Sequence, residues 1–129
     1  RTVKKYGHKD FVGTRVFNPD GTRGKYTWKT YQQVLEIATH IGSAIEELDL
    51  APALKEYQDY ELRFIAIHSK NREEWLFVDW ASILYGLTVV PAYDTLGPEA
   101  MQFMYEQTNV TTLFLSGNHL DNLLKEKEE

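Results

Sequence analysis

The amino-acid sequence predicts an α/β fold: a small parallel sheet with flanking helices, ordered β-α-β-α-β-α after a leading hairpin and helix. Two observations support this prediction. Short apolar runs bounded by polar residues recur about 25 residues apart, and the intervals between them carry helical apolar patterns with Gly or Pro near their ends. Strands separated by helices favour right-handed crossovers, which produce a parallel sheet that is covered on both faces.

The first elements expected are a hairpin and a long helix. The residues on either side of the turn at 18–21 can pair as two strands. A helix is expected over residues 28–48, with the hydroxyl of Thr27 as its N-cap. Residues 49–61 then form a linker with a helical turn after Pro52. The apolar stripe of the helix recurs at helical spacing and consists of Tyr31, Val34, Ala38, Ile41, Ile45 and Leu48.

A strand over residues 62–67 is followed by a helix over residues 72–85. Asn71 and Glu74 have the spacing of a capping box, and Gly86 suits the helix end because it enters the left-handed region freely. Apolar residues surround almost the whole helix, so it should be buried on most sides. Trp75 and Trp80 are therefore interpreted as core residues rather than as side chains that stack on a cofactor.

The remaining elements repeat this alternation. A strand at 87–90 should stop at Pro91, and Pro98 has its φ preset for the first turn of the next helix, which Asn109 can end. A strand at 111–115 and a fourth helix complete the order. The helix after Pro98 is expected to place Ala100, Phe103, Met104 and Gln107 on one face, with Phe103 and Met104 interpreted as core residues rather than as a lipid pocket.

Composition limits the class of protein. The chain has 129 residues, 43% hydrophobic and 26% charged, as is typical of a globular protein. It has no cysteine, which excludes disulfides and thiolate metal sites. No run approaches the roughly 20 apolar residues that span a bilayer, and no secretory signal pattern opens the chain.

The net charge of −5 is unevenly distributed. Residues 1–29 carry eight Lys or Arg and two acidic residues, a net charge of +6, whereas residues 30–129 carry −11. We therefore divide the chain into a basic polar arm and turn, residues 1–25, and an α/β body, residues 26–129. The simplest interpretation is a solvated arm lying on the acidic body. Phospholipid and an acidic partner are the alternatives, and nucleic acid is the least favoured because the body is acidic.

Polar residues follow the strands at the edge where α/β proteins place function. One interpretation makes His68 a base, Arg72 an anion clamp and Asp94 a metal ligand or base. The other makes them turn, capping and ion-pair residues, with Asp79 or a helix end as the partner of Arg72. We favour the second, because the eight glycines form no phosphate loop and the four histidines lack metal-ligand spacing. We predict no catalytic, cofactor-binding or metal-ligating residue in this chain.

Several motifs occur in a fixed order along the chain. Residues 11–15 read F-V-G-T-R, residues 26–34 read Y-T-W-K-T-Y-Q-Q-V, residues 41–44 read I-G-S-A, residues 71–75 read N-R-E-E-W, and residues 86–100 read G-L-T-V-V-P-A-Y-D-T-L-G-P-E-A. These stretches resemble the long-chain acyl-CoA synthetases of the adenylate-forming superfamily. The Y-D-T-L-G sequence is similar to the eukaryotic-type branch of that family.

The resemblance implies an N-terminal fragment of a long-chain fatty acid–CoA ligase. The full-length enzyme would use ATP and Mg²⁺ to convert a fatty-acid carboxylate into an acyl-adenylate, and coenzyme A would then displace AMP. In that family the phosphate loop, the adenine and ribose contacts and the C-terminal lysine follow the matched region. We therefore expect residues 26–129 to be a partial N-terminal subdomain of an AMP-binding domain, inactive alone and with no cofactor bound.

The expected partners follow from this assignment. They are the rest of the parent enzyme and, in the full-length protein, a long-chain fatty acid, with no nucleic acid. We expect a location in the cytoplasm or peripheral to an intracellular membrane, and the basic arm is compatible with membrane contact. The fragment should self-associate, because helix 72–85 and the sheet edges lack cover. The alternatives are a stand-alone, non-catalytic α/β binding or interaction module and a small flavodoxin-like enzyme, which the missing phosphate loop disfavours.

Overall fold

A computed structural model describes residues 1–56, 60–93 and 95–126. It contains a small parallel sheet with flanking helices, so the predicted α/β fold is confirmed. Two antiparallel hairpins, β1-β2 and β3-β4, precede this sheet. The elements in chain order are α1 (Thr2–Tyr6), β1 (Asp10–Phe17), β2 (Arg23–Thr30), α2 (Tyr31–Glu47), β3 (Leu54–Glu56), β4 (Tyr60–Leu62), β5 (Phe64–His68), α3 (Glu73–Tyr85), β6 (Thr88–Ala92), α4 (Pro98–Thr108), β7 (Leu113–Leu115) and α5 (Gly117–Glu126).

The parallel sheet has the strand order β6-β5-β7. Phe64 of β5 lies opposite Thr88 and Ala66 lies opposite Leu113, so the carboxyl ends of the three strands meet at one edge. The prediction that Pro91 would stop β6 was wrong, since the strand continues to Ala92. In the described sheet β6 lies at an edge, where a residue without an N–H is tolerated.

The core lies between one face of this sheet and the helices α2 and α3. Ile65 and Ile67 of β5 are buried there together with Ile45 of α2 and Val78 of α3. Trp75 packs against the same cluster, in line with its interpretation as a core residue. Burying a side chain of this size stabilises the folded state by about 1.5–3 kcal/mol, so this cluster fixes both helices on the sheet.

Helix α2 begins later than the sequence predicted, because strand pairing in the β1-β2 hairpin continues through Thr30. Thr30 is the N-cap: its hydroxyl accepts the Gln33 N–H, and the Gln33 side chain accepts the Thr30 N–H. Thr27, the cap expected from sequence, instead donates its hydroxyl to the carbonyl of Thr14 across the hairpin. The predicted apolar stripe faces the core except at Leu48, which is exposed.

Helices α2 and α3 approach each other closely at Gly42. A Cβ atom at this position would lie 2.1 Å from the ring of Tyr85, so the packing requires glycine. The Tyr85 hydroxyl is hydrogen-bonded to the Ser43 hydroxyl at 2.7 Å and donates to the Thr39 carbonyl at 3.1 Å. The I-G-S-A stretch of α2 therefore supplies both the space and a polar partner for the last side chain of α3.

Two further boundaries differ from the prediction. The linker expected over residues 49–61 contains the hairpin β3-β4 in place of a helical turn, although residues 57–59 lie outside the described part of the chain. Helix α3 begins at Glu73 with Arg72 as its N-cap residue, so the capping box from Asn71 to Glu74 was wrong. The predicted helix end is confirmed: Gly86 adopts the left-handed conformation with φ 68°.

Helix α4 has the ends that were predicted but a different buried face. It begins at Pro98, and Asn109 ends it in the left-handed region with φ 48°. Within this helix Met101 is buried, whereas Phe103 is exposed, so the predicted face through Ala100, Phe103, Met104 and Gln107 was wrong. The spacing alone fits either face, and the burial of Met101 identifies the face that turns inwards.

Over residues 1–56, 60–93 and 95–126, none of the helices has both the length and the apolar character to cross a bilayer.

Candidate functional site

A cleft of about 720 Å³ opens at the carboxyl edge of the parallel sheet. The loop after β5 and the start of α5 form one wall, and the β1-β2 hairpin forms the other. The loop contributes Ser69, Lys70, Asn71 and Arg72, the start of α5 contributes Asn118, and the hairpin contributes residues that include Gly13, Arg15, Phe17 and Tyr26. This position is where α/β folds bind ligands, so the cleft is the candidate site.

A second cavity of about 220 Å³ adjoins the cleft. Both cavities are lined by Ser69, Arg72, Glu74 and Ser116, and the smaller one extends towards the core at Trp75. The N-R-E-E-W stretch therefore forms the boundary between the open cleft and the apolar core.

Arg72 lies at the cleft but is engaged by a neighbouring carboxylate. Its Nε and Nη2 atoms donate to the two carboxylate oxygens of Glu74 at 2.6 and 2.7 Å. This bidentate hydrogen bond raises the pKa of Arg72 and lowers the pKa of Glu74 below its ordinary value. The partner of Arg72 is thus Glu74, two residues away, and not Asp79 as the sequence suggested.

His68 ends β5, and its ring stacks on that of His119 from α5, with the ring centroids 4.1 Å apart. The Ser116 N–H donates to the His68 carbonyl at 3.1 Å, which ties the start of α5 to β5. The structure therefore brings His68 and Arg72 to the same edge of the sheet. Asp94, the third candidate, lies outside the described residues, so its proximity to the other two stays a prediction.

The hairpin wall contains an aromatic ladder that sequence analysis missed. The Trp28 ring covers Gly13, where an added Cβ would lie 2.8 Å from the indole. Tyr26 stacks against Trp28 at 5.7 Å between centroids, and the guanidinium of Arg15 lies 5.5 Å from the centre of the Tyr26 ring. Cross-strand pairing of a glycine with a tryptophan was the signal that could have revealed it.

An ion pair joins the β1-β2 hairpin to the start of helix α3. The Nζ atom of Lys29 on β2 donates to Glu73 Oε1 at 2.7 Å, and the Glu73 side chain is largely buried at the start of α3. Lys29 also lies over the ring of Phe77 on the same helix, at 5.7 Å. The ring of Phe11 on β1 adds an edge contact to that of Trp80 on α3, with the ring centroids 5.3 Å apart. These contacts hold the hairpin against α3, the helix that follows the loop on the other side of the cleft.

The side chains that line the cleft could bind a ligand through hydrogen bonds and through their charges. Its rim carries Arg15, Arg23 and Lys70, while Glu73 and Glu74 are engaged by Lys29 and Arg72. In the part of the chain that the structure describes, no group of three or more His, Asp or Glu side chains is placed to hold a metal ion.

The whole chain, residues 1–129, matches the family model described as AMP-binding enzyme. The chain is 37% identical over 122 residues to the peroxisomal long chain acyl-CoA synthetase 7 of Arabidopsis thaliana, and 34% identical over 124 residues to fatty acyl-CoA synthetase B of Dictyostelium discoideum. These alignments cover 95% and 96% of this chain but only 16% and 17% of the relatives. The chain therefore spans about a sixth of their length.

Solved structures show the same fold. The adenylation–carrier didomain of carboxylic acid reductase from Segniliparus rugosus, determined in complex with AMP, superposes with a TM-score of 0.73 at 25% identity, covering 93% of this chain and 17% of that one. The Vibrio cholerae adenylation domain AlmE superposes with a TM-score of 0.67 at 16% identity, covering 96% of this chain and 19% of that one. The small parallel sheet and its helices thus match part of an adenylation domain.

Proposed function

The chain belongs to the AMP-binding enzyme family, and from this premise we propose that it is the N-terminal segment of a long-chain fatty acid–CoA ligase. The observation that carries the proposal is the 31–37% identity to long-chain acyl-CoA synthetases over about 95% of the chain. The position of the motifs supports it, because N-R-E-E-W lies at the cleft and β6, which belongs to the last motif, ends at the same edge of the sheet as β5.

The reaction proposed for the whole protein has two steps. A fatty-acid carboxylate attacks the α-phosphorus of ATP, which releases pyrophosphate and forms an acyl-adenylate; the thiol of coenzyme A then attacks the acyl carbon and releases AMP. Use of an adenine nucleotide is supported by the family and by the AMP in the carboxylic acid reductase structure. Mg²⁺ would neutralise the phosphates.

We assign no contact with ATP, Mg²⁺ or coenzyme A to this chain. Its glycines are scattered, without a phosphate-cradling loop in the sequence, and no group of three or more of the described His, Asp and Glu residues is placed to hold a metal ion. The role proposed for the segment is structural: the α2-α3 pair supports β5 and β6, whose carboxyl ends hold the loops that face the rest of the enzyme. We accordingly propose that the segment alone is inactive.

A segment exchange tests the proposal. The 122 matching residues of the Arabidopsis peroxisomal synthetase are replaced by this chain, and fatty acyl-CoA formation from palmitate, ATP and coenzyme A is measured. We expect a folded hybrid to retain at least roughly a tenth of the parent activity, because interchangeable segments preserve the placement of the catalytic groups. The same hybrid with Gly42→Leu is the matched control and should be inactive, because the leucine would collide with the Tyr85 ring.

Two outcomes contradict different parts of the proposal. A hybrid that folds with the parent's thermal stability but forms no acyl-adenylate would show that this segment does not belong to a ligase of this type. Acyl-CoA formation by the purified chain alone would instead leave the family assignment intact and refute the inactivity of the segment. Peripheral contact with an intracellular membrane is also part of the proposal and is supported by the charge of residues 1–29.

A further inference from the structure

The cleft at the carboxyl edge of the sheet has a positive lining in a chain whose net charge is −5. At an ionic strength of about 0.15 M, charges more than about 8 Å away are largely screened. A ligand in the cleft would therefore experience the charge of the lining more than that of the whole chain. Four basic and two acidic side chains give this lining a net charge of +2, and they are Arg15, Arg23, Lys70, Arg72, Glu73 and Glu74.

The two arginines of the hairpin wall carry charges that no described carboxylate neutralises. Arg15 is held in place by the backbone, because its Nε and Nη2 atoms donate to the carbonyls of Gly24 and Arg23 at 3.0 and 3.4 Å. The ion pairs among the described residues include neither Arg15 nor Arg23. The two carboxylates that line the cleft are engaged by other bases. Both guanidinium charges are therefore available to an anionic ligand.

Aromatic and amide groups lie beside these charges. Phe17 and Tyr26 line the hairpin wall and are 66% and 55% exposed, and Tyr26 is held by its stack on Trp28. On the opposite wall the exposed amide of Asn71 can both donate to and accept from a peptide group. Arginine and tyrosine are among the residues on which protein–protein interfaces most depend, and side chains that are already held in place lose little entropy on binding.

We propose that the cleft binds a short acidic segment of a partner polypeptide. Carboxylates of the segment would pair with Arg15 and Arg23, an apolar side chain would contact Phe17, and a peptide group would hydrogen-bond to Asn71. The volume of about 720 Å³ lies within the range of ligand-binding clefts. The inference stands on the lining of the cleft and is independent of the ligase proposal.

An acidic peptide fits the cleft better than other anions. A nucleic acid would extend beyond the cleft over residues 30–129, whose charge of −11 would repel it. A phosphate ion would leave the aromatic wall uncovered. Nucleotides are usually held by a glycine-rich loop at the phosphates and a carboxylate at the ribose. The sequence lacks such a loop, and both carboxylates at the cleft are already engaged.

Fluorescence anisotropy with a defined peptide tests the proposal. The probe is a fluorescein-labelled hexapeptide of sequence E-D-L-E-D-L. The controls are its neutral counterpart Q-N-L-Q-N-L and the acidic peptide E-D-G-E-D-G, which has no apolar side chain. We expect the chain to bind the probe at least about tenfold more tightly than the neutral peptide, because charged hydrogen bonds to arginine are strong. It should also prefer the probe to the glycine peptide, and salt raised to about 0.5 M should abolish binding.

Two pairs of substitutions separate the cleft from the rest of the basic arm. Arg15→Gln with Arg23→Gln should weaken binding of the probe at least about tenfold. Lys4→Gln with Lys5→Gln removes the same charge from α1, away from the cleft lining, and should change binding less than about twofold. Arg23→Gln alone breaks no described side-chain hydrogen bond and should still weaken binding, so the test does not depend on the fold of the Arg15 variant. Circular dichroism confirms that each variant is folded.

Photo-crosslinking reports where the peptide binds, since the chain has no cysteine. Asn118→Cys at the cleft and Gln107→Cys on α4 change two exposed residues, and each cysteine is labelled with benzophenone maleimide. The probe should crosslink to position 118 and not to position 107. Phe17→Ser should lower the affinity several-fold, whereas Phe103→Ser, at a phenylalanine of similar exposure, should leave it unchanged.

The proposal fails on any of the following results. Absence of binding at millimolar probe, or equal binding of the acidic and neutral peptides, would show that the cleft does not select an acidic segment. Equal losses in the two double-glutamine variants would remove the cleft as the site. Displacement of the probe by lower concentrations of AMP, coenzyme A or heparin would assign the two arginines to a nucleotide or a polyanion. Crosslinking at position 118 that is blocked in a longer protein containing this segment would assign the cleft to an intramolecular contact.

Discussion

The two faces of the parallel sheet differ in how completely this chain covers them. Under α2 and α3, Ile65 and Ile67 meet Ile45 and Val78 in a closed core. On α4, Met101 is the buried side chain, and a cavity of about 870 Å³ lies between α4, β7 and α5. On this second face Ala66, Val90 and Ala92 of the sheet are buried, but the cavity borders Leu113 of β7 and separates it from α4 and α5. The helices are therefore packed more openly on this face than α2 and α3 are on the other.

The largest effect of this difference should be on the association of the isolated chain. Phe103, Leu120 and Leu124 are exposed on the sparsely covered side, so we expect particles larger than the 15.0 kDa monomer in multi-angle light scattering. Phe103→Ser with Leu124→Ser should shift the population towards monomer. Val16→Ser with Phe17→Ser, on the hairpin, is the matched control and should shift it less. A stable monomer at high concentration would contradict the prediction and favour a stand-alone module.

The next largest effect should be on stability when each face loses a buried side chain. Ile65→Ala in the closed core should lower the free energy of unfolding by about 2–5 kcal/mol, because a cavity remains between packed helices. Met101→Ala should cost less than about 2 kcal/mol, because one side of Met101 already borders a large cavity. Urea titrations followed by circular dichroism measure both values. Equal losses would mean that the two faces are packed alike.

The closed face was also the part that the sequence predicted best. The stripe of α2 and the span of α3 follow from apolar periodicity, whereas the strand expected over residues 62–67 runs from Phe64 to His68. Helix α3, which was expected to be buried on most sides, exposes Ile83 and Leu84. On α4, Met104 belongs to two overlapping stripes, and local sequence cannot decide whether Met101 or Phe103 faces inwards. The helix start at Thr30 was missed for a related reason: pairing with β1, a contact distant in sequence, outweighed the capping potential of Thr27.

The candidate site was predicted only in outline. The rule that function collects at the carboxyl ends of strands pointed to the loop after β5, and Arg72 of this loop lines the cleft. His68 ends β5 at the same edge of the sheet, where its ring stacks on that of His119. The rule did not reveal the opposite wall, since the β1-β2 hairpin is brought there by contacts such as Lys29 with Glu73, which are 44 residues apart. Nor did it reveal that Glu74 engages Arg72, because the carboxylate had been interpreted as a cap. Which nearby carboxylate an arginine pairs with depends on side-chain geometry, and the spacing of residues along the sequence does not determine that geometry.

Alanine substitutions at two glycines compare how tightly the closed core and the hairpin are packed. Gly42→Ala should lower the free energy of unfolding by about 1–3 kcal/mol, because the new Cβ would lie 2.1 Å from the Tyr85 ring, which hydrogen bonds to Ser43 and Thr39 hold in place. Gly13→Ala should cost less, because the Trp28 ring that it would meet is more than half exposed and can shift outwards.

A double-mutant cycle isolates the contact at Gly42. In a Tyr85→Ala background the collision is absent, so Gly42→Ala should be neutral or stabilising by up to about 1 kcal/mol, the helix preference of alanine over glycine. Urea titration of the four proteins gives the coupling energy. The same cost for Gly42→Ala with and without the Tyr85 ring would show that the ring does not require the glycine.

The smallest effect should come from the exposed pair at the cleft, and it should depend on pH. Arg72 lowers the pKa of Glu74 in the folded state, whereas the unfolded carboxyl titrates near about 4.3. Between these two pKa values the unfolded state binds more protons, so the stability that the pair contributes is fully present above about pH 5 and is lost as the pH falls through the folded pKa. Glu74→Gln removes this contribution, and its unfolding free energy should therefore fall less steeply with acid than that of the wild type.

Asp20 provides the matched comparison in the hairpin. The Thr22 hydroxyl, followed by the Thr22 N–H, lowers its pKa as well, so Asp20→Asn should flatten the acid dependence in the same direction. The two carboxylates lie in different elements, and their effects should add, since neither shares a partner with the other. Parallel stability curves for the wild type and Glu74→Gln between about pH 5 and pH 3 would mean that the bidentate contact with Arg72 is not maintained in solution, and that Arg72 is free to bind an anion at the cleft.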